Sequence, residues 1–390
     1  MARRVVSSII ALVLLCLVPG TSWGQPGAGD YELPPTVNVR ARVLEILSTQ
    51  PEPGGRDFIT ERQLVRVVIT SGRFRGRTIE VEHFKSGHPV YDIEVSPGDR
   101  VVLLVELDGD ELGTAFIESP QRDPYMMYLA AGLLAVLLAV GGVKGAKAAL
   151  SLSVMVLVVV YVLLPLLLRG YSPIPLTTVV AAALSALALL VVSGPNRKTL
   201  TAITGTTGGV LIAGMLAMKA GAAARLTGLS AEEAQMLMFI PQGIQFDYRG
   251  LLFAGIIIGA LGAVMDVGMS VASAMAEVKR VNPEVTPPAL FRSGMNVGRD
   301  VMATMSNTLI LAYTGSAIPL LLLFMAYDTP LIRIANLDLI ATEVVRALAG
   351  SIGLILAIPI TALAGAYLLS WKASERGGDR IRRIQAGRER

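Results

Sequence analysis

The chain has 390 residues, 53% of them hydrophobic and only 16% charged, with a mean hydropathy of +0.60. A soluble protein carries about 25% charged residues, and the deficit here is concentrated in residues 124–371, which excludes one large soluble core. The formal net charge of +4 comes with basic residues between apolar runs and in the tail, so membrane topology rather than nucleic acid accounts for it.

The first 24 residues have the layout of a cleavable export signal. Arg3 and Arg4 form a basic start, Val5 to Val18 an apolar core, and Ser22-Trp23-Gly24 a small-x-small end. The only cysteine, Cys16, falls inside this segment, and Leu15 stands where a lipoprotein site needs a small residue. After processing, the chain is expected to have no disulfide, thiolate metal site or cysteine nucleophile.

Residues 25–123 read as a small extracytoplasmic β domain. Val37, Val39 and Ala41 alternate with mostly polar neighbours, as do Val65, Val67 and Ile69, and then Ile79, Val81 and His83. Ser71-Gly72, Ser96-Pro97-Gly98-Asp99 and Asp108-Gly109-Asp110 supply turns, and Val101 to Val105 reads as a buried strand. About five short strands imply a barrel or sandwich of the OB or SH3 kind. His83 and His88 lie near Glu80 and Glu82, but their spacing fits no metal-site pattern and alternating strand positions explain them.

Seven apolar segments follow, at about 125–143, 150–168, 176–193, 202–222, 251–272, 302–326 and 347–370, each long enough to cross a ~30 Å hydrocarbon layer as a helix. With the β domain outside, the inner connections carry Lys144, Lys147, Arg197, Lys198, Lys279, Arg280, Arg292 and Arg299. The outer ones carry Arg169, Arg225, Arg249, Arg333 and Arg346, and the basic tail, residues 372–390, falls inside. The positive-inside bias thus agrees with the export signal. The expected protein is α-helical and polytopic, in a bacterial inner membrane, with its C-terminus cytoplasmic.

Two connections are patterned. Ser230-Ala231-Glu232-Glu233 reads as a capping box opening a short helix that stops at Pro241. Pro287-Pro288 precedes a further interfacial segment, Ala289 to Arg292. Pro165, Pro319 and Pro359 each imply a kink. Glu343 and Arg346, three residues apart, read as a local ion pair.

Ionisable groups inside spans cost at least ~2.5 kcal/mol at the bilayer centre, so they are read as functional or paired. The fifth segment carries Asp266, Ser270, Ser273 and Glu277 on one helical face, Glu277 nearest the inner surface. The sixth carries Arg299, Asp300, Thr304 and Asn307 at similar offsets, as an inverted counterpart would. Two readings remain open: a polar lane for cations or protons, or an Asp266–Arg299 pair gluing two helices. In the fourth segment Thr204 to Gly209 is either a close-packing GxxxG element or a locally unwound helix offering Thr206 and Thr207 to an ion.

The string Met265-Asp266-Val267-Gly268-Met269-Ser270 with Glu277, then Gly298-Arg299-Asp300 and Met305 to Tyr313, resembles the YibE/F family of bacterial membrane proteins. The resemblance is taken to span most of the chain after the signal, β domain included. It implies the architecture and assigns no activity. No P-loop, H-E-x-x-H or G-x-S-x-G signature occurs, and no nucleophile is matched to a base, so an enzyme is the least supported reading. The expected function is a membrane permease or ion-coupled transporter, with a non-transporting envelope sensing or docking module as the alternative. Expected partners are the lipid bilayer, a small solute or ion, and an envelope protein at the β domain; no cofactor or metal is called for.

Overall fold

The computed structural model describes residues 35–51, 59–88, 90, 92–240 and 245–370. The export signal, Pro241 and the basic tail lie outside the described residues. The chain divides into two compact units, meeting between Val136 and Leu137.

The first unit is a five-stranded antiparallel half-barrel: β1 (Thr36–Pro51), β2 (Glu61–Ile69), β3 (Thr78–Lys85), β4 (Arg100–Asp108) and β5 (Glu111–Pro120), in the order β3-β2-β1-β4-β5. The long β1 makes the curl possible. Its first half pairs with β4, from Thr36↔Glu106 to Arg42↔Arg100, and from Ala41 onward it pairs with β2. Bulges at Val43/Glu45 and Ile46/Ser48 bend it between these partners. The alternation read from the sequence sets the core: Val39, Ala41, Val65, Val67, Ile69, Val81, Val101, Leu103 and Val105 are all buried. His83 is buried too, its Nε2 donating to the Ile93 carbonyl at 2.7 Å, which is a structural role. Asp92 closes the β3–β4 connection by accepting from the Ser86 and Gly87 amides at 2.6 and 2.7 Å. These bonds, the Ser86 amide foremost, hold its carboxyl below the usual carboxylate range.

The second unit is helical. Residues 123–168 form two helical segments joined by a sharp turn: α1 (Asp123–Val158) holds both sides of it, its residues up to Val136 belonging to the first unit, and is prolonged by a π-helical turn at Val159–Leu163 and an α-turn at Leu164–Leu168. The π turn lies just before Pro165, which cannot supply the amide that an unbroken helix needs there. The break falls at Gly142 (φ 52°, ψ −129°), within the stretch expected to be helical, and not at Lys144 to Ala149. A Cβ at Gly145 would collide with the Leu137 carbonyl. Residues eight apart in an unbroken helix are about 12 Å apart along the axis, so the chain turns back there.

Then come α2 (Pro173–Ser193), α3 (Arg197–Ala223), the short α4 (Glu232–Met236), α5 (Tyr248–Val281), α6 (Pro287–Ser316), α7 (Ile318–Ala326), α8 (Leu331–Ala335) and α9 (Asp338–Leu368). Gly194 stops α2 at φ 75°, and Asn196 caps α3 by accepting from the Thr199 amide at 2.9 Å. The capping box at α4 does not form. Ala231 is the N-cap, and the Ser230 hydroxyl lies 3.4 Å from that of Thr342 instead. Pro287 sits in the first turn of α6, so the expected interfacial segment is the start of a long helix. The sixth apolar segment is correspondingly broken: α6 and α7 meet at 58°, with Pro319 in the first turn of α7. Five helices are long and apolar enough to cross a membrane, or six if this bent pair is one span, against the seven expected.

Close approaches fix helix directions. A Cβ at Gly209 would lie 2.6 Å from Ala357 Cβ, one at Gly353 2.5 Å from Ala213 Cβ, and one at Gly365 3.2 Å from Thr201 Cγ2. Thr201, Gly205, Gly209, Ala213, Ala217 and Gly221, four residues apart and all buried, thus run antiparallel along Gly353, Ala357, Thr361 and Gly365 of α9. Such small residues let helix backbones approach without a large hydrophobic drive. The α3 helix is continuous through Thr204 to Gly209, so this stretch packs and does not unwind. By the same contacts α6 is antiparallel to α9 (Gly298 at Ile358, Leu309 at Gly350) and to α5 (Gly294 at Met275, Gly259 at Tyr313). The chain therefore traverses the unit in α6 before returning in α9. Arg197 Nη1 donates to the Leu368 carbonyl at 2.8 Å, fixing the end of α9 beside the start of α3.

Candidate functional site

On α5, Asp266 and Ser270 are exposed, Ser273 is half-buried, and Glu277 is exposed. Gly259, two turns before Asp266 on the same face, abuts Tyr313; a Cβ there would be 3.1 Å from Tyr313 Oη. The Asp266 face therefore borders α6. On α6, Arg299, Asp300, Thr304 and Asn307 are all exposed. The antiparallel register set by Gly259/Tyr313 and Gly294/Met275 puts Asp266 level with Thr304, and Ser270 level with Asp300. Both sequence-predicted groups thus lie at shared depths on two neighbouring helices, on surfaces the chain itself leaves uncovered.

Their partners bear on the pairing reading left open above. Arg299 Nη1 reaches only Asn296 Oδ1, at 3.3 Å, and forms no ion pair with Asp266. Asp266, Asp300 and Asn307 have no hydrogen bond or ion pair among the described residues. Thr304 satisfies its hydroxyl on the Val301 carbonyl at 2.9 Å. The structure therefore removes Asp266–Arg299 glue as the explanation of these charges. Glu277 is accounted for locally: Arg280 Nε donates to its Oε2 at 3.0 Å. Glu343 and Arg346 are likewise paired, at 3.3 Å.

The remaining candidates lie elsewhere. Thr206 is buried, and a Cβ on Gly268 would sit 2.9 Å from its Oγ1. Gly268 is on the core side of α5 and Asp266 on the outward side, so Thr206 is separated from the polar row by the helix itself. Thr207 faces a small gap shared with Thr178 and Ser185 of α2. Sequence reasoning missed Asn296 and Thr308, which lengthen the exposed polar face of α6. Their signal was present, four residues either side of Asp300 and Thr304.

These features define a multi-helix membrane protein with a row of unpaired polar groups on two adjacent helices. The chain belongs to the YibE/F-like protein family, whose sequence model matches residues 129–371. The match begins inside α1, so the half-barrel lies outside it, contrary to the expectation that the resemblance takes in the β domain. No curated protein and no solved structure is similar to the chain.

Proposed function

We propose that the protein is a membrane permease or ion-coupled transporter whose pathway runs along the shared face of α5 and α6. One observation carries this reading: Asp266, Asp300 and Asn307 stand unpartnered on exposed faces within the spanning helices. A bare carboxylate facing lipid costs several kcal/mol, so such groups mark water-filled or solute-filled routes. Asp266 supplies negative charge for a cation or proton, and Ser270, Thr304 and Asn307 supply neutral ligands beside it.

The accompanying topology has seven crossings, with α1 divided at Gly142 and the α6–α7 pair counted once. It places Arg197, Lys198, Lys279, Arg280, Arg292 and Arg299 at the cytoplasmic end with the basic tail, and the half-barrel outside the inner membrane. The β3-β2-β1-β4-β5 order, with β3 approaching β5, supports an OB-type barrel. A sensing or docking role is favoured by one feature, a cavity of about 490 Å³ in the first unit, lined by Asp99, Arg100, Gln121, Tyr125 and Tyr128 among others.

The test is charge movement in proteoliposomes, read by solid-supported-membrane electrophysiology with steps of pH and of monovalent and divalent cations. Transient currents are expected from the native protein, falling at least tenfold in Asp266→Asn with folding intact. Absence of current under every gradient would overturn the transport reading and leave the docking one.

A further inference from the structure

We propose that the polar face of α6 is covered by the same face of a second copy of this chain, in a twofold dimer whose axis is normal to the membrane. The inference covers the α6 side of the α5–α6 face and leaves Asp266 and Ser270 of α5 open.

The register places Asp300 level with Ser270, nine residues and about 13 Å of helix above Lys279 at the basic end. A guanidinium and a carboxylate therefore stand uncovered at the inner edge of the apolar stretch that begins near residue 302. Neither has an ion-pair partner among the described residues, and Leu290, Gly294, Gly298 and Leu309 are the residues of α6 already buried against its neighbours. Helices in a bilayer associate through polar groups and small side chains, because lipid supplies no hydrophobic drive. The exposed strip of α6 offers this kind of surface: Asn296, Arg299, Asp300, Ala303, Thr304 and Asn307.

The charge pattern names the occupant. Arg299 and Asp300 are adjacent, so they sit at nearly one depth and about 100° apart around the helix. Two copies inserted with the same topology bring α6 beside α6 in parallel, like depths together. A closed twofold interface requires residue i to meet j while j meets i. Adjacent opposite charges meet that requirement without help: each Arg299 reaches the other copy's Asp300, and both pairs form at once. A single-sign strip would repel its own copy, whereas this one is complementary to itself. Once Arg299 and Asp300 are neutralised across the axis, Asp266 of each copy is the charge left over, beside the new interface.

The test uses the full chain with Cys16→Ser. Asn307→Cys, two turns from Asp300 on the strip, is expected to form an intermolecular disulfide in membranes. Leu211→Cys, exposed on α3, is expected to cross-link at least tenfold less. Photobleaching of single labelled proteins in dilute liposomes should show two steps. Arg299→Asp should lower the two-step fraction at least tenfold, and adding Asp300→Arg should restore it. One-step bleaching at every dilution, Asn307→Cys cross-linking no better than Leu211→Cys, or a charge swap that rescues nothing would each overturn the proposal. Asn307→Cys is neutral and exposed, so the test survives if the charge variants fail to fold.

Discussion

Gly209→Leu is expected to abolish recovery of folded protein or to lower its stability in detergent by about 3 kcal/mol or more, measured by thermal unfolding with size-exclusion monitoring. Even a Cβ at Gly209 would stand 2.6 Å from Ala357 Cβ, 2.8 Å from the Gly353 carbonyl and 2.8 Å from Val264 Cγ1. These are a backbone and two branched or short side chains, so none can swing away. Overpacking typically costs about 1–3 kcal/mol where neighbours yield, and here three helices must part. Two controls bracket the effect. Gly208→Ala meets chiefly the flexible end of Ile360, at 2.9 Å, and should cost far less. Gly255→Ala meets nothing within 4 Å and should stabilise α5 by up to about 1 kcal/mol, since alanine loses less backbone entropy in a helix. If Gly209→Leu folds as well as Gly255→Ala, the α3–α9 seam is wrong.

Leu103→Ala is expected to destabilise the half-barrel by about 2–5 kcal/mol while leaving the helical unit intact. Leu103 is fully buried at the centre of β4, opposite Val39 on one side and Ile117 on the other. Its removal leaves a cavity in a small core built from the inward-facing side chains of the five strands. A domain of this size has about 5–15 kcal/mol in total, so the loss is a large fraction of it. The core around Leu103 shares no residue with the cluster that packs α2, α3, α5, α6 and α9. Hydrogen exchange read by mass spectrometry should therefore accelerate about 30-fold or more in peptides from β1 to β5 and stay unchanged in α5 and α9. Equal acceleration in both would show that the units fold as one.

The contrast between these two cores explains what the sequence disclosed. Strand alternation in the first unit has a period of two and one wet face, so Val39, Val65 and Leu103 could be placed inside before any coordinates. In the helical unit nearly every residue is apolar, and hydropathy finds segments without saying which face is buried. Gly142 is one of a Gly141-Gly142 pair in an apolar run, and composition alone does not say that the turn falls there and not at the lysines that follow. The four-residue ladder of small side chains in α3 and α9 was legible in principle, since only its Gly205/Gly209 fragment is a familiar pattern.

The polar row shows the same limit from the other side. The spacing of Asp266, Ser270 and Ser273, and of Asp300, Thr304 and Asn307, fixes a common face on each helix, and that part was readable. Periodicity is identical for a face turned toward a neighbour and one turned away, so whether Asp266 meets Arg299 could be read only from the register at Gly259/Tyr313 and the side-chain partners. Glu277 sits on the same stripe yet is taken by Arg280, a local i,i+3 contact that the face analysis passed over.

The transport reading rests on Asp266 and Ser270 facing water within the membrane. The most direct measurement is the rate at which a membrane-impermeant, water-soluble thiol reagent labels Asp266→Cys and Ser270→Cys in intact membranes, with Cys16 replaced by serine. Leu363→Cys, 61% exposed on α9, serves as the lipid-facing reference. Labelling of both row positions at least tenfold faster than the reference is the predicted result. Labelling of Asp266→Cys and Ser270→Cys as slow as that of Leu363→Cys would contradict it.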